Sequence, residues 1–404
     1  MNRWNVYQLK GLCSEIIDCV NKTAPISPTP TEYKMLRTSD IRNGVINLDH
    51  LNCVSKNTFE KWTRRGRLEQ GDIVFTREAP LGEVGLVKKA DNYFLGQRLV
   101  LFRANKAVCD NKFLLYALMY HDNKQAIIAK GVGSTVLHLR VPECEKITIK
   151  APELSTQHRI ADILSAYDDL IENNRKQIKL LEEAAQRLYK EWFVDLRFPG
   201  HEHTKIVDGV PEGWEKCSLG DVIEFDPKVQ LTKDRVKQFV PMSALSTSSM
   251  VLDMNEISET TSNSGSKFQN GDTLLARITP CLENGKTAFV HGLESDEGAV
   301  GSTEYIVMRS KKLNPYMVYL LSRTNGFRQS AINSMSGSDG RQRAKADKLK
   351  ALAYLLPPAG LIHSFEQMFS PMFEMVFALN QQTFSATQAR DRLLPRLMSG
   401  EVEV

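Results

Sequence analysis

The sequence predicts a mixed α/β chain in which two copies of one globular unit are separated by two long antiparallel helices that form a coiled coil. Three features predict this fold class: an internal repeat at about half the chain length, short apolar runs bounded by Gly, Pro and Asp in each copy, and a heptad pattern after each copy. Short β-branched runs between turn residues are typical of strands, and sustained heptads are typical of coiled-coil helices.

The composition is that of an ordinary globular protein. With 404 residues the chain exceeds what one hydrophobic core accommodates, so we expect two or more domains. The formal net charge of +4 permits nucleic acid as a partner without requiring it. The first residues, MNRWNVYQLKGL, contain no apolar signal segment, and no stretch is apolar enough to span a membrane, so a cytoplasmic protein is predicted.

Seven cysteines are scattered along the chain and never form a C-x-x-C pair. An odd, scattered set argues against both a disulfide framework and a structural zinc site. We expect reduced cysteines without a metal.

The internal repeat is visible in four pairs of segments. The triplet QGD at 70–72 returns as NGD at 270–272, and TREAPLGEVG at 76–85 returns as ARITPCLENG at 276–285. Further on, NKFLLYALM at 111–119 matches NPYMVYLLS at 314–322, and GVGST at 131–135 matches MSGSDG at 335–340. Matches in one order along both halves predict that a single structural unit is duplicated.

A long heptad seam follows the first copy. Its positions are Ile160, Leu164, Tyr167, Ile171, Asn174, Ile178, Leu181, Ala185, Leu188 and Trp192. Asn174 is the one polar member. Five heptads predict a helix of about 35 residues, or about 55 Å at about 1.5 Å per residue, which is longer than a small domain is wide.

The seam after the second copy is less regular. Its positions are Phe365, Phe369, Met372, Val376, Leu379, Thr383, Ala386, Arg390, Leu393 and Leu397. Pro371 within the helix, and the polar Thr383 and Arg390, predict a kink or a looser contact.

The expected domains are a first recognition domain at 1–151, a first spacer helix at 152–198, a second recognition domain at 199–357 and a second spacer helix at 358–404.

At these helices the chain resembles a known family. The segments IADILSAYDDLIENNRKQIKLLEEAAQRLYKEWFVDLRFPGHE (160–202), DGVPEGWEKCSLGDV (208–222) and LLPRLMSGEVEV (393–404) are similar to specificity subunits (HsdS) of type I restriction-modification systems. The resemblance implies that each globular unit is a target recognition domain for one half of a split, asymmetric DNA sequence. It also implies that the helices set the spacing and dock partners.

The partners implied by the resemblance are double-stranded DNA, two methyltransferase subunits and restriction or translocase subunits. The chain itself would hold no cofactor. S-adenosylmethionine, ATP and magnesium would be used by the partner subunits, which methylate adenine or cut DNA.

Two motifs suggest catalysis, and both are incomplete. Gly285-Lys286-Thr287 matches the end of a phosphate-binding P-loop, but Pro280 stands where the first glycine belongs. Asn314-Pro315-Tyr316 matches the Asn-Pro-Pro-Tyr box of adenine methyltransferases with one proline missing, and Asn followed by Pro also fits the start of a helix. We therefore predict no catalytic residue. His201 and His203 are interpreted as part of a loop, not as a metal site.

Two alternatives from other classes stay open at this point. One is a freestanding methyltransferase or nuclease fused to its own DNA reader, which would need a complete cofactor motif. The other is a scaffold with duplicated protein-binding modules, which would not retain one split DNA sequence.

Candidate DNA-binding residues are basic, hydroxyl or amide side chains in loops, because these types contact phosphates and base edges. In the first unit they are Arg37, Thr38, Ser39, Arg64, Arg65, Arg77, Ser134, Thr135, His138 and Arg140. In the second unit they are Ser243, Arg277, Ser338, Arg341, Arg343 and Lys345. Arg77 and Arg277 occupy matching positions and could instead brace the fold. Side chains that select bases should differ between the copies if the two units bind different half-sites.

Overall fold

The computed structural model describes residues 4–295, 297–337 and 340–404. Its contacts divide the chain into two compact units. The first unit comprises residues up to Asp169 together with Thr387–Val404, and the second comprises Leu170–Ala386. Each unit therefore contains one globular α/β part and a segment of both long helices.

The first globular part is built on an antiparallel sheet. Its strands lie in the order Cys13–Asp18, Leu99–Ala104, Ile73–Thr76 and Val84–Leu86. A smaller sheet has the order Asn52–Cys53, Lys34–Leu36 and Tyr93–Leu95, and its last two strands are parallel. Short strands Asn5–Gln8 and Thr148–Ala151 pair antiparallel and bring together the two ends of the globular part.

Helices and a hairpin complete this part. The helices are Leu9–Leu12, Lys56–Trp62, Asn111–Met119, His121–Ala129 and Val141–Glu145, and Ile41–Arg42 pairs with Val45–Ile46. The helix Asn111–Met119 is almost wholly buried, because its apolar run packs on the sheet.

The second globular part repeats the same strand order. Its main sheet has the order Ile223–Phe225, Tyr305–Ser310, Thr273–Ala276 and Thr287–Phe289. The smaller sheet has the order Ser258–Thr260, Lys237–Val240, Ala299–Gly301 and Ser266–Phe268, one strand more than its counterpart. Glu215–Ser218 pairs with Ala353–Leu356 as the terminal strands of the first part do. The shared order confirms the predicted duplication.

The helices of the second part also follow the first. They are Leu219–Val222, Pro315–Arg323, Asn325–Asn333 and Ala346–Lys350, and a hairpin Ile206–Val207 with Val210–Pro211 precedes them. Asn314 caps the helix Pro315–Arg323, since its side chain accepts a hydrogen bond from Tyr316 N at 2.8 Å. The helix-start interpretation of this motif is confirmed.

The repeated Gly-Asp motif holds a buried ion pair in each copy. Asp72 accepts two hydrogen bonds from Arg103 at 2.9 Å, and Asp272 accepts two from Arg309 at 2.7 Å. Both carboxylates are almost fully buried, at 2% and 1% exposure. A buried carboxylate requires such bidentate partners, so the motif is structural in both copies.

The long helices are Leu154–Tyr189, which continues into the wider turns of Lys190–Val194, and Ala359–Met398. Contacts in each unit show that they run antiparallel. In the first unit Arg390 pairs with Asp168. In the second unit Asn174 bonds to Gln382, while Tyr189 packs on Phe365. The predicted antiparallel pair is confirmed.

The second helix is packed more firmly than its sequence predicts. It runs unbroken through Pro371, and Phe369 and Phe373 on either side are buried in the core of the second unit. The polar seam positions have partners, because Thr383 donates to Leu379 O at 2.8 Å and Arg390 pairs with Asp168. Packing of the aromatic face offsets the local cost of the proline.

Within the described residues, no helix combines the length and apolarity needed to cross a membrane.

Candidate nucleic-acid interface

The candidate residues of both units gather around one repeated backbone arrangement. The main-sheet strands Ile73–Thr76 and Thr273–Ala276 are each followed directly by an arginine, Arg77 or Arg277. Arg77 O accepts from Leu139 N at 2.9 Å, and Arg277 O accepts from Ala344 N at 2.8 Å. The segment before Leu139 and the segment before Ala344 are thereby anchored at the same place in the two units.

Each anchored segment forms a closed hairpin. Val132 and His138 exchange two backbone hydrogen bonds of 2.9 Å, and Ser336 and Arg343 exchange two of 3.1 and 3.0 Å. Both turns start with a glycine at positive φ, 133° for Gly133 and 135° for Gly337. The sequence match of GVGST with MSGSDG thus corresponds to one structural feature.

Four of the predicted residues of the first unit lie on or beside its hairpin. Ser134, Thr135 and Arg140 are exposed, and His138 is half-buried. Arg140 precedes the helix Val141–Glu145. These positions suit contacts with a large partner, because they project from a fixed backbone into solvent.

The side chain of Arg77 is turned into the protein. Its Nη2 lies 3.0 Å from Asp18 Oδ1, its Nη1 donates to Leu139 O at 3.3 Å, and only 16% of the side chain is exposed. This geometry favours the bracing role for Arg77 over contact with DNA. Arg277 is likewise half-buried at the matching position.

The remaining candidates of the first unit lie apart from the hairpin in the sequence. Arg37 binds Asp40 through both Nε and Nη2, at 3.1 and 2.8 Å, and so stabilises the turn that carries the half-buried Thr38 and the exposed Ser39. Arg64 is exposed in the turn after the helix Lys56–Trp62.

Arg65 is also exposed, but its guanidinium group is held by the protein. It donates to Cys19 O at 2.7 Å and lies 3.4 Å from Asp18 Oδ2. Asp18 thus contacts both Arg65 and Arg77, so this carboxylate organises two of the predicted arginines.

In the second unit, too, some candidate side chains are exposed and others are held in ion pairs within the protein. Ser243, Arg341 and Lys345 are exposed, whereas Arg343 forms a bidentate ion pair with Glu304, with Nη2–Oε1 at 2.7 Å. Hydrogen bonding from Arg343 holds the pKa of Glu304 below its ordinary value. Ser338 lies outside the described residues.

The two catalysis-like motifs have structural roles. Lys286 donates to Met242 O at 2.8 Å and Thr287 starts a buried strand, so neither is arranged around an open loop. The ring of Tyr316 stacks on Phe373 with centroids 4.4 Å apart, which leaves it in the core of the second unit. Among the described residues, no three His, Cys, Asp or Glu side chains are grouped so as to hold a metal ion.

The apolar side chains and part of the charge around the first hairpin could not be predicted from the sequence. Val132, Val136 and Leu137 are 63%, 46% and 39% exposed. Arg98 is also exposed and pairs with Glu78, whose backbone bridges to His138. The repeated glycine motif was the available signal for the hairpin, but the position of Arg98 depends on tertiary pairing.

Comparisons with known proteins agree with this organisation. Residues 1–183 match the model of the type I restriction modification DNA specificity domain. The chain is 26% identical over 353 residues to the specificity subunit of the type I restriction enzyme MjaIX from Methanocaldococcus jannaschii, covering 83% of this chain and 78% of that subunit. It is 30% identical over 195 residues to the EcoEI specificity subunit from Escherichia coli, covering 47% of this chain and only 33% of that subunit.

A solved structure shares the fold across nearly the whole chain. The crystal structure of the type I restriction-modification system S subunit from M. genitalium superimposes with a TM-score of 0.59 at 16% identity, covering 98% of this chain and 96% of that one. Residues 1–183 thus match a DNA specificity domain, and over 83% of its length the chain is similar to a type I restriction enzyme specificity subunit. These comparisons do not support the alternative of a freestanding methyltransferase or nuclease.

Proposed function

We propose that the two globular parts bind the two halves of one split DNA target, and that the long helices set the interval between them. The observation that carries this proposal is the duplicated hairpin. Its backbone anchors are the same in both units, at Arg77 and Arg277, whereas the side chains on it differ. A shared framework with different side chains is what two half-sites of different sequence require.

The chain would direct methylation and restriction without performing either. Methyltransferase subunits, two per complex, would supply S-adenosylmethionine and the adenine-methylating site, and restriction or translocase subunits would supply ATP and magnesium chemistry. The length of the two helices supports the proposal that partner subunits dock on them, because each helix extends through both compact units. Since the substrate is chromosomal or invading DNA, the complex would work in the cytoplasm.

The test is reconstitution with the methyltransferase subunits. Mapping methylated adenines in the host genome gives the target, and duplexes with one half or the other scrambled are then compared for retention by the complex. The proposal predicts loss of specific retention when either half is scrambled and no loss when the interval is randomised. Retention that depends on a single continuous sequence would contradict it.

A further inference from the structure

The hairpin of the first unit, residues 132–138, presents several exposed side chains to solvent. Its backbone is fixed, because Val132 and His138 close it and Gly133 starts the turn at φ 133°. A Cβ on Gly133 would lie 2.3 Å from Val136 O, so a side chain at this position would displace the turn. The hairpin therefore presents its outer residues in one arrangement.

Those outer residues combine exposed apolar groups with hydroxyls. Val132, Val136 and Leu137 are 63%, 46% and 39% exposed, and Ser134 and Thr135 are exposed between them. Single exposed apolar residues are ordinary, but several grouped on one rigid projection are typical of a contact surface.

The charges around the hairpin select the kind of partner. Exposed Lys130 and Arg140 flank it in the chain, and exposed Arg98 lies beside it through Glu78, which bridges to His138. The Glu78 carboxylate is compensated by Arg98, with Arg98 Nε and Glu78 Oε2 3.2 Å apart. An apolar projection flanked by the cations Lys130 and Arg140 fits a polyanion with apolar groups in its grooves, which is double-stranded DNA.

The matching hairpin of the second unit has the same closure and different chemistry. Arg343 stands where the first unit has His138, and Gln342 precedes it where Leu137 precedes His138. An apolar contact in one unit and polar side chains in the other are the differences expected of positions that select bases.

We propose that Val136 and Leu137 recognise thymine through its C5-methyl group in the half-site bound by the first unit, with Ser134 and Thr135 contacting neighbouring base edges. This inference rests on the proposed function. The methyl group lies in the major groove, which is about 12 Å wide and admits a two-stranded ribbon, and apolar side chains pack against it there. Each adenine that the partner subunits methylate pairs with a thymine on the opposite strand.

The test replaces each thymine of the mapped target by deoxyuridine, which lacks only the methyl group. The reconstituted complex is titrated with these duplexes. Loss of one buried methyl group should weaken binding about fourfold at one or two positions of a single half-site. Val136→Ala and Leu137→Ala should weaken binding to the thymine duplex, and at least one of them should abolish the difference between thymine and deoxyuridine.

A matched control separates this effect from general loss of apolar surface. Val108 is 40% exposed in a turn of the same unit, and Val108→Ala should leave the thymine preference unchanged. The inference would be overturned if no deoxyuridine substitution weakened binding. It would also be overturned if both hairpin variants still bound the deoxyuridine duplexes more weakly than the thymine duplex by the same factor. Neither result would contradict recognition of the target by the complex. Failure of the complex to prefer its target over a scrambled duplex would instead overturn the proposed function.

Discussion

Arg390 Nη1 lies 2.6 Å from Asp168 Oδ1, which joins the two long helices inside the first unit. The same carboxylate accepts a hydrogen bond of 2.5 Å from Tyr116 of the globular part. Only 13% of the Arg390 side chain and 28% of the Asp168 side chain are exposed. Arg390 occupies a polar seam position that suggested a loose contact. With Asp168 and Tyr116 it instead connects the two helices to each other and to the globular part.

Asp168→Ala should destabilise the protein by about 1–3 kcal/mol, because it leaves Arg390 and Tyr116 without their shared acceptor. The neighbouring Asp169 is 68% exposed, so Asp169→Ala should change stability by no more than about 0.5 kcal/mol. Urea unfolding of the two variants measures both effects. Equal stability of the two variants would show that the link contributes nothing.

Replacing Arg77 and Arg140 one at a time should distinguish an arginine that stabilises the fold from one that contacts DNA. Arg77→Ala removes the ion pair with Asp18 and should lower stability. Arg140→Ala should leave stability unchanged but weaken DNA binding on all sequences, and lower the slope of log affinity against log salt by about 1. Binding titrations of the reconstituted complex at several salt concentrations give the slope. An unchanged slope for Arg140→Ala would remove it from the interface.

The half-buried side chain of Glu182 should make stability depend on pH. Its Oε1 accepts hydrogen bonds from Ser249 Oγ at 2.7 Å and Met250 N at 2.9 Å, but burial dominates and raises the pKa of Glu182 above its ordinary value. A pKa raised by folding adds stability below the unfolded pKa, and this stability is lost as pH rises through the folded pKa.

Glu182→Gln keeps the accepting oxygen without the charge, so the variant should gain stability relative to the wild type as pH rises above the ordinary glutamate pKa of about 4.3. Melting temperatures at acidic and alkaline pH measure the trend. The control is Glu183→Gln at the next position, where 44% of the side chain is exposed. A constant difference across the pH range would contradict the expected titration.

The purified chain alone should neither methylate nor cut DNA in the presence of S-adenosylmethionine, ATP and magnesium. The candidate motifs are used structurally, with Asn314 capping a helix and Lys286 bonded to Met242 O. Radiolabelled methyl transfer and gel assays check this expectation. Methyl incorporation that disappears in Asn314→Ala would contradict it.

The duplication and the long helices could be predicted because repeats and heptads are local patterns in the sequence. The partners of individual charges could not. Asp272 was visible in the repeated Gly-Asp motif, but its partner Arg309 lies 37 positions further along the chain and is brought to it only by strand pairing. Arg77 was likewise noticed as a repeated arginine, and its bracing role depends on Asp18 from another strand of the sheet.

The most direct test of the account lengthens both helices by one heptad. Insertions after Asp169 and after Ala386 fall at the boundaries of the compact units, so they leave the contacts within each unit in place. A heptad keeps the seam in phase and adds about 10 Å, equal to about three base pairs. Mapping of methylated adenines by single-molecule sequencing should show the same two half-sites separated by an interval about three base pairs longer. Altered half-sites, or an unchanged interval in an active complex, would contradict the claim that the helices set the spacing.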